Sequence, residues 1–258
     1  SGLIMSDADM KAADKFGEGY KKFLDEGKTE REAARAAIAI AEKAGFVEFQ
    51  QGKKYKAGDR VYLNNRGKAV ILAVIGKENI ENGVNILAAH IDSPRLDLKQ
   101  NPLYEDEEMA YFKTHYYGGI KKYQWTAVPL ALHGVIIRKD GEAVEVKIGE
   151  DDKDPVFVVT DLLPHLAEEQ MKRPAAKIVA GEELNILIGS RPFKDDEESE
   201  LVKLNIMNIL SEKYGIVEED FLSAELEAVP AFKAKDVGLD RSLVGAYGQD
   251  DRVCGYTA

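Results

Sequence analysis

Residues 85–95 read Asn85-Ile86-Leu87-Ala88-Ala89-His90-Ile91-Asp92-Ser93-Pro94-Arg95. Asn85 to Ala89 is a short, nearly continuous apolar run. Strands buried on both faces look like this, as in the centre of an α/β sheet. His-x-Asp then stands where the strand ends, and in open α/β sheets the C-terminal ends of strands border the ligand crevice. A histidine there can give one ring nitrogen to a metal. A carboxylate two residues on can take the proton on the other nitrogen, which fixes tautomer and ring orientation. His-x-Asp also recurs by chance in many chains, so a structural histidine fits these residues as well.

Upstream, the period is helical. Met10, Ala13, Phe16, Tyr20 and Phe23 recur at spacings of three or four over Asp9 to Glu26, and Gly27 ends the pattern. Thr29 with Glu32 forms a capping-box signature ahead of an Ala-rich helix to Ala44, with Gly45 as its C-terminal cap. Arg60–Leu63 and Ala69–Ile75 then read as short strands, the second apolar enough to be buried on both faces.

Downstream, Arg95 to Lys99 alternates and a strand-rich segment follows. Its expected strands are Ala127–Ile137, Ala143–Ile148, Val156–Val159, Leu184–Ile188 and Phe221–Val229. Expected helices run from Asp161 to Met171 and through Leu201, Leu204, Ile206, Met207 and Leu210, the latter after a charged loop from Lys194 to Ser199. Lys235 to Leu243 is rich in turn residues. The change of pattern near residue 98 predicts an α/β fold carrying an inserted β-rich domain. The expected boundaries are 1–97 for the first part of the α/β domain, 98–240 for the insert and 241–258 for the return.

Composition narrows the function. The chain has 258 residues, 45% hydrophobic and 31% charged, with a net charge of −11. A chain this acidic is a poor general binder of nucleic acid or of anionic membranes, both of which reward basic patches. The one cysteine, Cys254, rules out an internal disulfide framework and fits a reducing compartment. No apolar run reaches the ~20 residues of a membrane span. The first residues lack the basic flank and apolar core of a signal peptide, so the expectation is a cytoplasmic protein. Walker, Gly-x-Gly-x-x-Gly, Gly-x-Ser-x-Gly and His-Glu-x-x-His motifs are absent.

Two further segments can carry chemistry. In Gly245-Ala246-Tyr247-Gly248-Gln249-Asp250-Asp251-Arg252, paired carboxylates at a loop-to-helix junction can bridge two divalent cations. An Asp N-cap with a solvated neighbour and an Arg partner fits the same residues. In Asp161-Leu162-Leu163-Pro164-His165, Asp161 and Pro164 open the expected helix. That would place His165 at its positive end, where a neutral imidazole is favoured as a hydrogen-bond donor. His115 sits in an expected turn with Gly118 and Gly119. His133 lies inside an apolar strand and reads as a satisfied core residue, Trp125 as a packing anchor.

Together, the blocks Ala88-Ala89-His90-Ile91-Asp92-Ser93-Pro94-Arg95, Thr114-His115-Tyr116-Tyr117-Gly118-Gly119, Asp161-Leu162-Leu163-Pro164-His165 and Gly245 to Cys254 resemble the M18 metallopeptidases. Those are the relatives of aspartyl aminopeptidase and vacuolar aminopeptidase I, and the likeness is closest to the bacterial members. The resemblance runs from about residue 10 onward. It implies a two-metal α/β catalytic domain, usually holding zinc, with an inserted β-rich dimerisation domain. It implies a cytoplasmic enzyme that removes N-terminal residues from peptides and assembles as dimers within dodecamers. His90 would bind one metal, Asp92 would orient His90, and Asp250 would bridge both metals. His165 would reach the active site of a neighbouring subunit.

The family's remaining ligands and its catalytic base are expected beyond the last residue here, since the chain stops eight residues after Asp250. Two protein ligands under-coordinate a catalytic zinc, which normally takes three and a water. The chain alone is therefore expected to be inactive. A non-catalytic dimerisation or scaffold protein derived from the same family is the alternative. A non-peptidase metal hydrolase sharing the His-x-Asp and Asp-Asp-Arg pattern is a third reading.

Overall fold

Ser6 and Asp9 close a reciprocal cap at the start of α1 (Asp7–Glu26), each accepting from the other's backbone amide. Thr29 and Glu32 repeat the device at α2 (Glu30–Lys43), as the sequence predicts. Gly27 lets the two helices meet closely, for a Cβ there would lie 2.8 Å from the Cα of Ala33. Phe23, Ala33 and Ala36 form the small core of this hairpin. The computed structural model describes residues 4–194 and 199–258. It divides into two units, Ser1–Ser93 with Lys233–Ala258, and Pro94–Phe232.

In the first unit, β1 (Val47–Glu48), β2 (Arg60–Asn65) and β3 (Ala69–Val74) form a sheet in that order. β1 runs parallel and β3 antiparallel to β2. Among the described residues, residues 85–89 form no strand, and Ile86 and Leu87 are 77% and 80% exposed. Ile71, Leu72 and Val74 of β3 are exposed as well. The expectation of strands buried on both faces is corrected here. Such burial needs neighbouring strands and a covering layer, and the described residues supply neither for this stretch.

The second unit is built on six antiparallel strands: β4 (Arg95–Asp106), β5 (Met109–Tyr117), β6 (Leu130–Ile137), β7 (Ala143–Ile148), β8 (Ile186–Gly189) and β9 (Glu225–Pro230). Their order in the sheet is β7-β6-β9-β4-β5-β8. Helices α3 (Glu168–Met171) and α4 (Leu201–Tyr214) belong to this unit. The Glu105 carboxylate in β4 accepts from the amides of Val202 and Lys203, both at 2.9 Å, and so caps α4 from a distant strand. Leu96, Leu130, Ile136, Leu184 and Ile186 are among the most deeply buried side chains of its core. His133 is closed from solvent and pairs with Glu150 at 3.0 Å, the satisfied core histidine expected of it. Trp125 packs against the same core.

Several local expectations are corrected in this unit. His115 lies within β5, not in a turn. Val156–Val159 makes isolated bridges without becoming a strand. Phe221 to Ser223 belongs to a 3₁₀ turn before β9. The expected helix from Asp161 shrinks to the four residues of α3. The Asp161 carboxylate is bonded to the Thr126 hydroxyl, the Gln170 amide and its neighbour's N–H, so it does not cap a helix start. Of the charged loop expected at 194–199, residues 195–198 lie outside the described residues.

The chain returns to the first unit through the antiparallel pair β10 (Lys235–Val237) and β11 (Leu243–Gly245) and ends in α5 (Gln249–Thr257). A nine-residue helix is not stable alone. Tyr256 anchors it, with ring centroids 5.0, 5.4 and 5.3 Å from Phe16, Tyr20 and Phe23 of α1. Asp236 of β10 binds Lys21 of α1 at 2.5 Å, and the Asp25 carboxylate accepts from the Ala234 amide. No described helix is long and apolar enough to cross a membrane.

Candidate metal centre

Three of the four candidate residues come together in the first unit. His90 follows the exposed run 85–89, Asp92 lies two residues on, and Asp250 stands in the first turn of α5. Gly248, in the left-handed region at φ +79°, swings the chain into that turn, and the Asp250–Asp251 peptide is cis.

The imidazole of His90 is held from both sides. Its Nδ1 lies 3.0 Å from the Asp92 carbonyl and 3.3 Å from the Asp92 carboxylate. Its Nε2 lies 3.3 Å from Oδ1 of Asp250. Two acceptors at Nδ1 hold a proton there, which leaves Nε2 as the ring nitrogen available to a metal when the ring is neutral. Burial lowers the pKa of His90. The Asp92 carbonyl and carboxylate, then Asp250 and the charge of Asp251, outweigh it and raise the pKa. The hydrogen bond to Asp251, then burial, push the thiol pKa of Cys254 upward, away from the thiolate.

This geometry suits a divalent ion. Two ligands each about 2.0–2.1 Å from a tetrahedral zinc are about 3.3–3.4 Å apart. The Nε2–Oδ1 separation has that value, and the other ring nitrogen is already engaged, as in carboxylate–histidine–metal groups. The Asp250 side chain is 96% exposed, so its second oxygen is open to a further partner. Among the described residues no group of three His, Cys, Asp or Glu side chains is arranged to hold a metal. The two candidate donors are His90 and Asp250.

His165 belongs to the second unit. It is exposed in the turn ahead of α3, beside the exposed Leu162, Leu163 and Leu166. It is not on the first turn of a helix, so the expected helix-end environment is absent there. Sequence reasoning missed the part played by Arg252, read only as a partner for its neighbouring carboxylates. Arg252 is completely buried, and its Nε donates to the Ile91 carbonyl at 2.8 Å. The one signal available was its place two residues after Asp250.

A family model described as aminopeptidase I zinc metalloprotease (M18) matches residues 23–258. A protein of Clostridium acetobutylicum named as a probable M18 family aminopeptidase 1 is 58% identical over 256 residues, 98% of this chain and 55% of that protein. The crystal structure of an M18 aminopeptidase from Thermotoga maritima superposes with a TM-score of 0.92 at 45% identity, covering 99% of this chain and 55% of that one. At the level of the fold alone, the Saccharomyces cerevisiae mApe1 dodecamer is similar, with a TM-score of 0.68 at 18% identity over 94% of this chain and 54% of that one. The chain thus spans about half the length of the curated relatives it matches.

Proposed function

The chain belongs to the M18 family of aminopeptidase I zinc metalloproteases, and from that membership we propose that its first unit supplies one side of a zinc centre that removes N-terminal residues from peptides. The observation that carries this reading is the Nε2–Oδ1 separation of 3.3 Å between His90 and Asp250, with Asp92 engaging the opposite ring nitrogen. His90 would bind the metal through Nε2. Asp92 would retain the proton at Nδ1 and keep the ring in that orientation. Asp250 would bind through Oδ1 and use its exposed second oxygen to bridge to a second ion. Bound zinc supplies Lewis acidity, which at such sites lowers the pKa of water to about 7.

The remaining donors and the catalytic base are assigned to the part of the relatives that this chain does not match. On this reading the 258-residue chain alone does not turn over. The second unit is the dimerisation domain, and His165 acts in trans, donating a hydrogen bond to the substrate in a neighbouring subunit. Dimers within a dodecamer are the assembly in keeping with the yeast relative.

The test combines zinc uptake with turnover of aminoacyl anilides bearing acidic or apolar first residues. The chain alone is expected to hold no stoichiometric zinc and to show no turnover; combined with the portion of a relative that it does not match, it should take up zinc and lose that uptake in His90→Ala. Adding the portion of the Clostridium acetobutylicum relative outside the matched 256 residues should bring turnover that a chelator abolishes. Zinc uptake indifferent to His90→Ala and to Asp250→Ala would overturn the metal assignment. Turnover by the chain alone would overturn the assignment of donors elsewhere.

A further inference from the structure

We propose that Arg252 is a positioning residue of this centre: its buried guanidinium sets the separation of His90 and Asp250. The inference rests on reading those two residues as metal donors. Arg252 is 0% exposed. Its Nε donates to the carbonyl of Ile91 at 2.8 Å, and its Nη2 donates to the carbonyl of Lys28 at 2.9 Å. Ile91 is the residue between His90 and Asp92, so the first bond grips the backbone that carries both. Arg252 itself is two residues from Asp250 at the start of α5. One side chain therefore joins the segment of the histidine to the helix of the carboxylate.

The second bond gives that junction its rigidity. Lys28 lies in the loop between α1 and α2, outside both joined segments. A planar guanidinium bonded to two fixed carbonyls has its plane and depth determined, where a single bond would leave a hinge. A lysine ammonium, a point donor on a flexible stem, cannot reproduce this fork.

The surrounding residues make room for the arrangement. Gly248 lies against the guanidinium: a Cβ there would strike Nη1 and lie 3.1 Å from Cζ. The Tyr247 ring faces the same group at 5.5 Å. The Ser93 hydroxyl donates to the Asp250 carbonyl at 3.3 Å, a longer tie across the same junction. Tyr247, Gly248 and Arg252 thus serve one arrangement. Docking of α5 does not account for it, because Tyr256 already holds that helix on α1. A buried cation is costly to place, and this one is placed where two candidate donors need a fixed spacing.

The test compares Arg252→Lys and Gly248→Ala with the parent chain and with Val61→Ala, a core variant of β2 used as a stability control. Gly248→Ala retains the arginine and displaces it but also strains the left-handed backbone two residues from Asp250. An unchanged separation in it therefore counts against the role, and an opened one counts for it only where the same crystal structure shows the bonds from Arg252 to Ile91 and Lys28 lost. Crystal structures read the His90–Asp250 separation, and titration with cobalt(II) of each chain combined with the unmatched portion of the Clostridium acetobutylicum relative reads metal uptake. The separation is expected to open by more than about 0.5 Å in the folded variants of the pair, a looseness that degrades such sites. Cobalt affinity is expected to fall tenfold or more in the same variants. Val61→Ala should lose melting temperature while keeping both the separation and the affinity. A separation unchanged in folded Arg252→Lys and Gly248→Ala would overturn the positioning role. Cobalt uptake by the complemented parent that is indifferent to His90→Ala and Asp250→Ala would instead overturn the reading of those two as donors, with the separations still deciding the role of Arg252.

Discussion

Nε2 of His90 and Oδ1 of Asp250 stand 3.3 Å apart, and each is delivered by a segment with its own anchor. His90 sits in the irregular segment ahead of β4, gripped through the Ile91 carbonyl by Arg252. Asp250 sits on a helix that exists because Tyr256 packs into the aromatic face of α1. The pair is therefore a tertiary product of the first unit, and three consequences of it can be measured, beside a fourth test in the second unit.

The Asp92 carboxylate should govern the behaviour of the histidine. In an active M18 assembly containing this chain, Asp92→Asn is expected to lower turnover or metal affinity by about 10–100-fold, as losing an outer-shell partner of a ligating histidine does. Circular dichroism should show the fold unchanged. Equal turnover in the variant and the parent would remove the role given to Asp92.

The titration of His90 follows from its neighbours. The Asp92, Asp250 and Asp251 charges raise its pKa above 6.5 despite burial. In the metal-free chain the imidazolium is thus favoured by folding. That stabilisation is complete below the unfolded pKa and is lost as pH rises through the folded one. Metal requires the neutral ring, so uptake should strengthen as pH rises through the same raised value. Asp250→Asn should lower the His90 pKa in an NMR titration. A parent value at or below 6.5 would contradict the electrostatic account.

Tyr256→Ala should release α5 from α1. The ring is only partly buried and touches three aromatic neighbours, so a loss of about 2 kcal/mol is expected in denaturant unfolding. Hydrogen exchange of residues 249–257 should speed up more than that of β6. Uniform exchange across both would show that the helix is not held this way.

In the second unit, Glu150→Ala would leave His133 buried beside a cavity. Leaving a buried polar group without its hydrogen-bond partner costs about 1–3 kcal/mol. The melting temperature should fall sharply, with Glu150→Gln falling less because the amide still bonds the ring. Matching losses in the two variants would show that the hydrogen bond contributes little.

The exposed apolar run is legible as a strand and yet is not one. Ile86 and Leu87 have the pattern of a doubly buried strand, and the structure leaves both open to solvent. Pattern reports what a segment is suited for. Pairing depends on what lies beside it. The same distinction explains the helix lost at Asp161, whose cap-forming carboxylate is occupied by Thr126 and Gln170.

By itself the sequence determined the local elements whose signals are complete within a few residues. These are the cap at Thr29, the strand pattern of the inserted region, and the His-x-Asp and Asp-Asp-Arg blocks that led to the family. Only the tertiary structure decided which of those residues meet. It brought Asp250 to Nε2 of His90, and it buried Arg252 against the carbonyls of Ile91 and Lys28. The reason is physical. Periodicity and capping are short-range properties of the chain. The bonds of a buried guanidinium join segments far apart in sequence, and no local pattern encodes where those segments will lie.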